Sequence, residues 1–329
     1  MEDSMDPMIR VEKEINPKSP ILLATWPGMG NVAYGAGLYI KENLENIKIA
    51  EIKPEYFFYR TGVQIKNGIV EIPQLPKSEF FYHQNKYGPR DLILFIGESQ
   101  PVLEKEYDLA IKVVELARYY SVSEIVTFAA TPVNISHKAI PGVWGVTTDP
   151  LTLREFPSLG VNVMNTGHIG GLNGLILGVG KDYAIKGTCF LGEIPFYTVK
   201  IENPKASLAI LKVFIRYSGI SFDLNGLVQM ARFVEEEIDK VSKSTKQTLF
   251  GEDIIPEVGA KEDEISEKEG LDREEIVVPP EIRNKIEYMF EMASKDISRA
   301  GELKKELDKW GLFQEYEDRF LDLFGKKRM

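Results

Sequence analysis

The sequence predicts an α/β fold: a three-layer α/β/α sandwich with a mostly parallel sheet, followed by a C-terminal helical extension. Short apolar runs alternate with helix-like segments up to about residue 245. These runs are apolar throughout, as in strands that are covered on both faces. Amphipathic helical spacing after residue 280 predicts the extension. We therefore expect an N-terminal tail (1–16), an α/β domain (17–245), an acidic flexible linker (246–280) and an amphipathic helical extension (281–329).

The predicted strands of the domain lie at residues 21–25, 92–96, 124–130, 161–164 and 187–194. Pro20 and Pro27 bound the first of these apolar runs, and Gly97 ends the second. Residues 52–82 break the alternation of strands and helices. Within that stretch the turn residues 66–68 (Lys-Asn-Gly) separate two strand-like runs, 56–65 and 69–72. This pattern predicts a hairpin that is inserted in the sheet or lies at its edge.

The predicted helices lie at residues 31–44, 107–120, 171–183, 204–217 and 225–241. Asn31 is expected to cap the N-terminus of the first helix, since Asn is a favoured residue there. Apolar residues three and four positions apart, such as Leu109, Val113 and Leu116, indicate the second helix. Pro204 begins the fourth, at the position where its missing N–H costs least.

The composition changes sharply after residue 250. Residues 251–275 hold eleven acidic and three basic residues, which favours a solvated flexible linker; a specific electrostatic role is the alternative. Beyond Pro280, apolar residues recur at three- and four-residue steps, and their face must pack on the domain, on itself or on a partner. The residues of this face are Ile282, Ile286, Met289, Ala293, Ala300, Leu303, Leu307, Trp310, Phe313, Tyr316, Phe320 and Leu323.

The composition argues against several classes of function. The 329 residues include 50 acidic and 40 basic side chains, and a net charge of −10 does not suit a general nucleic-acid binder. A single cysteine, Cys189, excludes an intrachain disulfide and a cysteine-based zinc site, and three histidines leave little for a metal. No basic and apolar leader is visible, and the most apolar run, 170–180, is too short to span a bilayer. We expect a cytoplasmic protein without cofactor, metal, nucleic-acid or membrane partner.

A glycine loop follows the first predicted strand. Gly28, Gly30 and Ala33 fit the loose pattern G-x-G-x-x-A at a strand-to-helix junction, where backbone N–H groups can hold a phosphate. Glu51 lies near the position at which an acidic ribose ligand would fall. The pattern is weak, and the alternative is a tight structural turn. A P-loop is excluded because the chain has no G-x-x-x-x-G-K-[ST].

Polar residues follow other predicted strands where open α/β sheets place their ligand sites. Glu98, Asn134 and His137 are candidates for acid/base or orienting groups in a cleft; alternatively they bond loop backbone or form an interface. His168, among glycines, is a candidate base or a hydrogen-bonded structural residue. The candidate ligand or interface edge comprises Trp26, Gly28, Gly30, Asn31, Glu98, Gln100, Asn134, His137 and His168. No catalytic residue is assigned, because the chain shows neither an HExxH motif nor a Ser-His-Asp order.

Five segments together resemble the proteasome assembly chaperone family, of the second-chaperone type with its archaeal and bacterial homologues. The segments are 20–37 (PILLATWPGMGNVAYGAG), 97–101, 131–144, 167–197 (GHIGGLNGLILGVGKDYAIKGTCFLGEIPFY) and 203–227 (NPKASLAILKVFIRYSGISFDLNGL). The resemblance implies a single α/β/α domain similar to purine nucleoside phosphorylases. It also implies ATP-independent binding of proteasome α-subunits during ring formation, and homo-oligomers among archaeal members.

Two points limit what the resemblance implies. Archaeal relatives often carry an ATP-grasp ligase label, but no residues of this chain support that activity. Such chaperones can dock on the α-ring through a hydrophobic-Tyr-any C-terminus, whereas this chain ends Lys327-Arg328-Met329. The leading hypothesis is therefore a non-enzymatic chaperone or scaffold that binds α-subunits or a related protein through its surface. The alternative is a nucleotide- or nucleoside-binding protein or enzyme that uses the candidate edge.

Overall fold

The computed structural model describes residues 6–250, 280–295 and 299–309, together with residues 312, 313, 316, 319, 320 and 323. The predictions for residues 251–279, which make up most of the expected acidic linker, lie outside the described residues. The chain divides into two compact units, Met1–Ile254 and Ile255–Met329. None of the helices in the described ranges combines the length and the apolar content that a bilayer crossing requires.

Nine strands of the first unit form one sheet, and two more form a separate hairpin. The strands are β1 (Ile9–Val11), β2 (Ile21–Thr25), β3 (Ile47–Ile52), β4 (Gln64–Lys66), β5 (Ile69–Glu71), β6 (Ser78–His83), β7 (Leu92–Gly97), β8 (Glu124–Val133), β9 (Val143–Thr147), β10 (Asn162–Val163) and β11 (Lys186–Pro195). The sheet order is β1-β3-β6-β7-β2-β8-β11-β9-β10. The four central strands β7, β2, β8 and β11 are mutually parallel, and antiparallel pairs flank them on both sides.

Helices cover both faces of this sheet. The helices are α1 (Val32–Asn43), α2 (Glu106–Tyr119), α3 (Pro150–Leu153), α4 (Leu172–Asp182), α5 (Pro204–Ser218), α6 (Asn225–Phe250), α7 (Pro280–Lys295) and α8 (Ala300–Lys309). Ile21 and Leu23 of β2 pack with α1 and α5, while Leu22 and Ala24 pack with α2 and α4. Because successive side chains of a strand point to opposite faces, an all-apolar strand needs this double cover. The predicted α/β sandwich is confirmed.

Four strands were not predicted from the sequence. Strands β1, β3, β6 and β9 extend the parallel core outward, and β1 comes from the expected N-terminal tail. Strand β3 reads Ile-Lys-Ile-Ala-Glu-Ile, and its register with β6 shifts between Lys48 and Ala50. Lys48 forms ion pairs with Glu12, Glu51 and Glu79. Glu51 thus lies in β3, outside the parallel core of the sheet, and forms an ion pair with Lys48.

Four local predictions were wrong in detail. Asn31 precedes α1, but its backbone is left-handed (φ 47°) and its side chain makes no capping hydrogen bond. The hairpin forms at the predicted turn, but as its own two-stranded sheet with a first strand of only Gln64–Lys66. The strand expected at 161–164 is limited to Asn162–Val163. Helix α6 continues nine residues past its predicted end at residue 241, to Phe250.

The second unit is built from α7 and α8. Apolar residues predicted from the helical spacing pack on each other in one cluster, which includes Ile286, Ala293, Leu303 and Leu307; Phe290, which was not predicted, belongs to it too. This face therefore packs on itself. The Ile282 side chain and Trp310 lie outside the described residues.

Candidate functional site

The candidate edge is formed by the C-terminal ends of the central strands. Helix α1 leaves β2 toward one face of the sheet, and α2 leaves the adjacent β7 toward the other. Open α/β sheets bind ligands in the crevice that such a divergence creates. Whether the space at the C-terminal ends of β2 and β7 is open or filled therefore determines whether a ligand can bind there.

Trp26 fills this crevice. The residue is fully buried, and its indole packs against Phe95 with ring centroids 4.7 Å apart. A β-carbon on Gly97 would lie 2.4 Å from the indole, so that only glycine fits at the end of β7. The Asn173 amide accepts from the Trp26 N–H (3.0 Å) and donates to its C=O (3.1 Å). The protein's own side chain thus occupies the part of the crevice next to β7, and Asn173 of α4 holds its backbone.

Gln100 braces the same region. Its Nε2 donates to the Pro27 carbonyl (2.9 Å), and its Oε1 accepts from the backbone N–H of Leu172 (3.2 Å). One side chain thereby connects the segments that follow β7 and β2 with the first turn of α4. Both polar ends of the amide are engaged in these bonds.

A cleft of about 340 Å³ lies on the other side of this brace. Gly28, Gln100 and His168 contribute to its wall, together with Glu106 and the start of α4. His168 is exposed. Three of the nine candidate residues therefore meet in one cleft of the size that small ligands occupy.

Gly30 and Asn31 lie on a different groove. This groove, of about 190 Å³, runs between α1 and the starts of α5 and α6. The Gly30 N–H donates to the Val199 carbonyl (2.8 Å), and the Gly30 carbonyl accepts from the Asn203 N–H (2.8 Å). Gly30 needs its positive φ of 59°, and an added β-carbon would lie 3.2 Å from Asn203. At this glycine the loop is a backbone-bonded structural turn.

Glu98 and Asn134 are exposed and line neither the cleft nor the groove. The Glu98 carboxylate accepts from the Lys77 N–H (2.9 Å), and the Glu98 N–H donates to the Lys77 carbonyl (2.9 Å). Glu98 therefore fastens the chain just before β6 to the end of β7. Asn134 follows directly after β8.

His137 belongs to a third place, where α6 meets the loop after β8. Its Nδ1 lies 2.8 Å from the Tyr197 hydroxyl, and its Nε2 lies 2.8 Å from Asp239 Oδ1. Lys138 Nζ lies 2.7 Å from the other Asp239 oxygen. Hydrogen bonds from Lys138 and His137 hold the pKa of the Asp239 carboxyl below its usual value. Tyr197 and Asp239 were not foreseen, since they lie 60 and 102 residues from His137.

We expect Asp239→Asn to lower the melting temperature at pH 7 by about 1–3 °C. A carboxyl whose pKa is depressed on folding stabilises the protein above its unfolded pKa, and that stabilisation is lost as the pH falls through its folded pKa. The difference from wild type should therefore vanish well below pH 4, where the carboxyl is protonated in both states. Thermal scans from pH 7 to 3 measure it, with Glu236→Gln on the same helix as control. A difference that does not change with pH would contradict this role.

The arrangement does not assemble an acid/base pair from the predicted residues. Glu98, His137 and His168 occupy separate places along the edge. The cleft offers one imidazole, one carboxylate from Glu106 and the glycine-rich start of α4. Such a lining suits a small polar molecule. Next to β7 the space is taken by the buried indole of Trp26, which offers no acid or base.

Comparison with known proteins places the fold in context. Residues 22–242, about two thirds of the chain, match the PAC2 family. The crystal structure of Pyrococcus furiosus PbaB, an archaeal proteasome activator, is 27% identical with a TM-score of 0.62, over 71% of this chain and 98% of that chain. P. furiosus PbaA, an archaeal homolog of proteasome-assembly chaperone, is 18% identical with a TM-score of 0.57, over 73% and 94%. An uncharacterized protein of Methanocaldococcus jannaschii is 24% identical over 246 residues, 73% of this chain and 90% of the relative. These matches confirm the resemblance predicted from the five segments.

Proposed function

Because the chain belongs to the PAC2 family, we propose that it acts in proteasome assembly, as a non-enzymatic, ATP-independent chaperone or scaffold that binds proteasome α-subunits. The likeness to PbaB, an archaeal proteasome activator, and to PbaA, an archaeal homolog of proteasome-assembly chaperone, supports a proteasome-related role. The partner is an α-subunit or a related protein, and the chain works as a homo-oligomer.

The observation that carries this proposal is the filled crevice. An enzyme of this fold class would keep the divergence between β2 and β7 free for its substrate. Here Trp26 occupies the part next to β7, where Gly97 is shaped to receive the indole, and the cleft that remains beside Gln100 brings no two of the predicted acid/base residues together. We therefore infer that the protein binds its partner through its outer surface, where apolar side chains such as Tyr59 and Leu103 are exposed. Such side chains shield the ring interface of a bound subunit until its neighbour arrives.

The second unit adds a further contact in this proposal. The acidic segment between the two units acts as a tether, and a tethered helical unit has a raised effective concentration at a second site on the same partner.

Native mass spectrometry of the full chain mixed with purified α-subunits tests the binding step. We expect a defined complex with α-subunits and none with β-subunits from the same proteasome, which serve as the matched control. Absence of a complex with α-subunits, or equal binding to both kinds of subunit, would contradict the proposed function.

A second function is favoured by the cleft of about 340 Å³: binding of a nucleotide, nucleoside or phosphate. A ligand that binds only the folded state raises the melting temperature by mass action. A thermal-shift screen with these compounds tests this alternative. His168→Ala, in the cleft wall, should abolish a genuine shift, whereas Asn134→Ala, outside the cleft, should leave it unchanged. No shift with any compound would reject the small-molecule function.

A further inference from the structure

The cleft of about 340 Å³ has an apolar floor and a polar mouth. Ala33, Ala130 and Leu191 belong to its wall, and all three are buried. Glu106 and His168 belong to the same wall, but Glu106 is half-buried and His168 is exposed. A ligand in this cleft therefore places an apolar surface inward and turns its polar groups toward these two side chains.

The charge of the cleft comes from Glu106, the first residue of α2. Its carboxylate has no hydrogen-bond or ion-pair partner among the described residues. The neighbouring Lys105 is paired with Asp108 instead, with Nζ 3.0 Å from that carboxylate. In the described part of the chain no lysine or arginine lines the cleft. An ionised carboxylate only accepts hydrogen bonds, so Glu106 favours a ligand that donates them and disfavours a negatively charged one.

Backbone donors that could hold a phosphate beside the cleft are engaged within the protein. In the glycine loop, the N–H groups of Gly30 and Asn31 donate to backbone carbonyls (2.8 and 3.0 Å). At the start of α4, the Leu172 N–H donates to Gln100 Oε1 (3.2 Å) and the Gly174 N–H to a carbonyl of the same turn (3.2 Å). A helix start carries a partial charge of about half an elementary charge, which is less than the full negative charge of the unpaired carboxylate. The electrostatics of the cleft therefore oppose an anionic ligand.

We propose that this cleft binds an unphosphorylated nucleoside, with the base on the apolar floor and the sugar hydroxyls donating to Glu106. This inference rests on the small-molecule function proposed above, which admits nucleotides and phosphate as well, and it selects one class among them. A nucleobase has flat faces that suit an apolar floor, and neighbouring ribose hydroxyls can donate to both oxygens of one carboxylate. A 5′-phosphate brings further negative charge toward the same carboxylate.

Calorimetric titration of the full chain tests the proposal. The ligands are the four common ribonucleosides, their 5′-monophosphates, their 2′,3′-dideoxy analogues and inorganic phosphate, all at low ionic strength. We expect at least one nucleoside to bind, and its monophosphate and its dideoxy analogue to bind about tenfold more weakly or worse. Inorganic phosphate should give no signal.

A matched pair of variants assigns the selectivity to one carboxylate. Glu106→Gln keeps the shape of the side chain and one acceptor but removes the charge, and it should reduce the difference between nucleoside and monophosphate to about threefold or less. Glu104→Gln removes an exposed carboxylate two residues earlier, outside the cleft wall, and should leave the wild-type difference unchanged. The ratio of the two affinities is the readout, because a merely structural effect weakens both ligands alike. Circular dichroism and the melting temperature check that both variants fold.

The outcomes separate this inference from the functions proposed above. A monophosphate or phosphate that bound wild type as tightly as the nucleosides would overturn the inference and leave the small-molecule function standing. The same holds for an affinity ratio that Glu106→Gln left at its wild-type value. Absence of binding by every compound would reject the inference together with the small-molecule function. None of these results bears on the α-subunit complex, which is measured independently.

Discussion

Replacing Trp26 by alanine is expected to lower the free energy of unfolding by about 3–5 kcal/mol. The indole is fully buried between Phe95 and Gly97, and its removal leaves a cavity at the junction of β2 and β7. The backbone bonds to Asn173 remain in the variant, so the loss reports the side chain itself. Chemical denaturation followed by fluorescence or circular dichroism measures the change.

Trp26→Phe is the matched control. The buried Trp26 Nε1 has no hydrogen-bond partner in the described part of the chain, so phenylalanine loses volume but no hydrogen bond. Its cost should be clearly smaller than that of alanine. Free indole should partly restore the melting temperature of the alanine variant by occupying the cavity, and it should not affect wild type. Equal stability of wild type and Trp26→Ala would contradict a filled crevice.

Glu124 is the second position at which a large effect is expected. Its side chain is fully buried at the N-terminal end of β8, opposite the candidate edge. It accepts hydrogen bonds from the hydroxyls of Thr188 (2.8 Å) and Tyr217, and it lies 3.2 Å from Arg90 and 3.4 Å from Lys186. Burial, with the carboxylate beside it, raises the pKa of Tyr217. The carboxylate therefore joins four segments of the domain.

Glu124→Ala should destabilise the protein by about 3–5 kcal/mol, because it removes the carboxylate that Arg90 and Lys186 share and that accepts from two hydroxyls. Glu124→Gln keeps the shape and one acceptor, and its effect should be smaller. Glu45→Ala, at a carboxylate that is 90% exposed, is the control and should change stability by about 0.5 kcal/mol or less. Urea unfolding measures the free energy of unfolding of the three variants. If Glu124→Ala were as stable as Glu45→Ala, the structural role of Glu124 would be refuted.

The parallel core of the fold could be predicted because its signal is local. Each central strand is apolar on both faces, and the breaking residues Pro20, Pro27 and Gly97 lie beside its ends. The unpredicted strands β1, β3, β6 and β9, which lie outside the parallel core, have no such continuous run of apolar side chains. In β3 the polar Lys48 and Glu51 lie three positions apart, so the strand lacks the strict alternation that would mark it in the sequence.

The structure places the candidate residues near the ends of several strands, but not together in one site. A position after a strand does not reveal the direction of the side chain or its partner. Gln100 could be identified as polar at such an end, whereas its role as a brace depends on Pro27 and Leu172, 73 and 72 residues away. The left-handed backbone of Asn31 is likewise set by the turn that the segment 199–203 imposes, and not by its own capping preference.

The measurement that tests the proposed role most directly is ring formation by separated α-subunits with and without the full chain. Mass photometry can follow the rings over time in a buffer free of ATP. We predict that rings form faster or in higher yield when the chain is present, through a transient complex of chain and α-subunit. Identical time courses with and without the chain, and no such complex, would contradict a role in proteasome assembly.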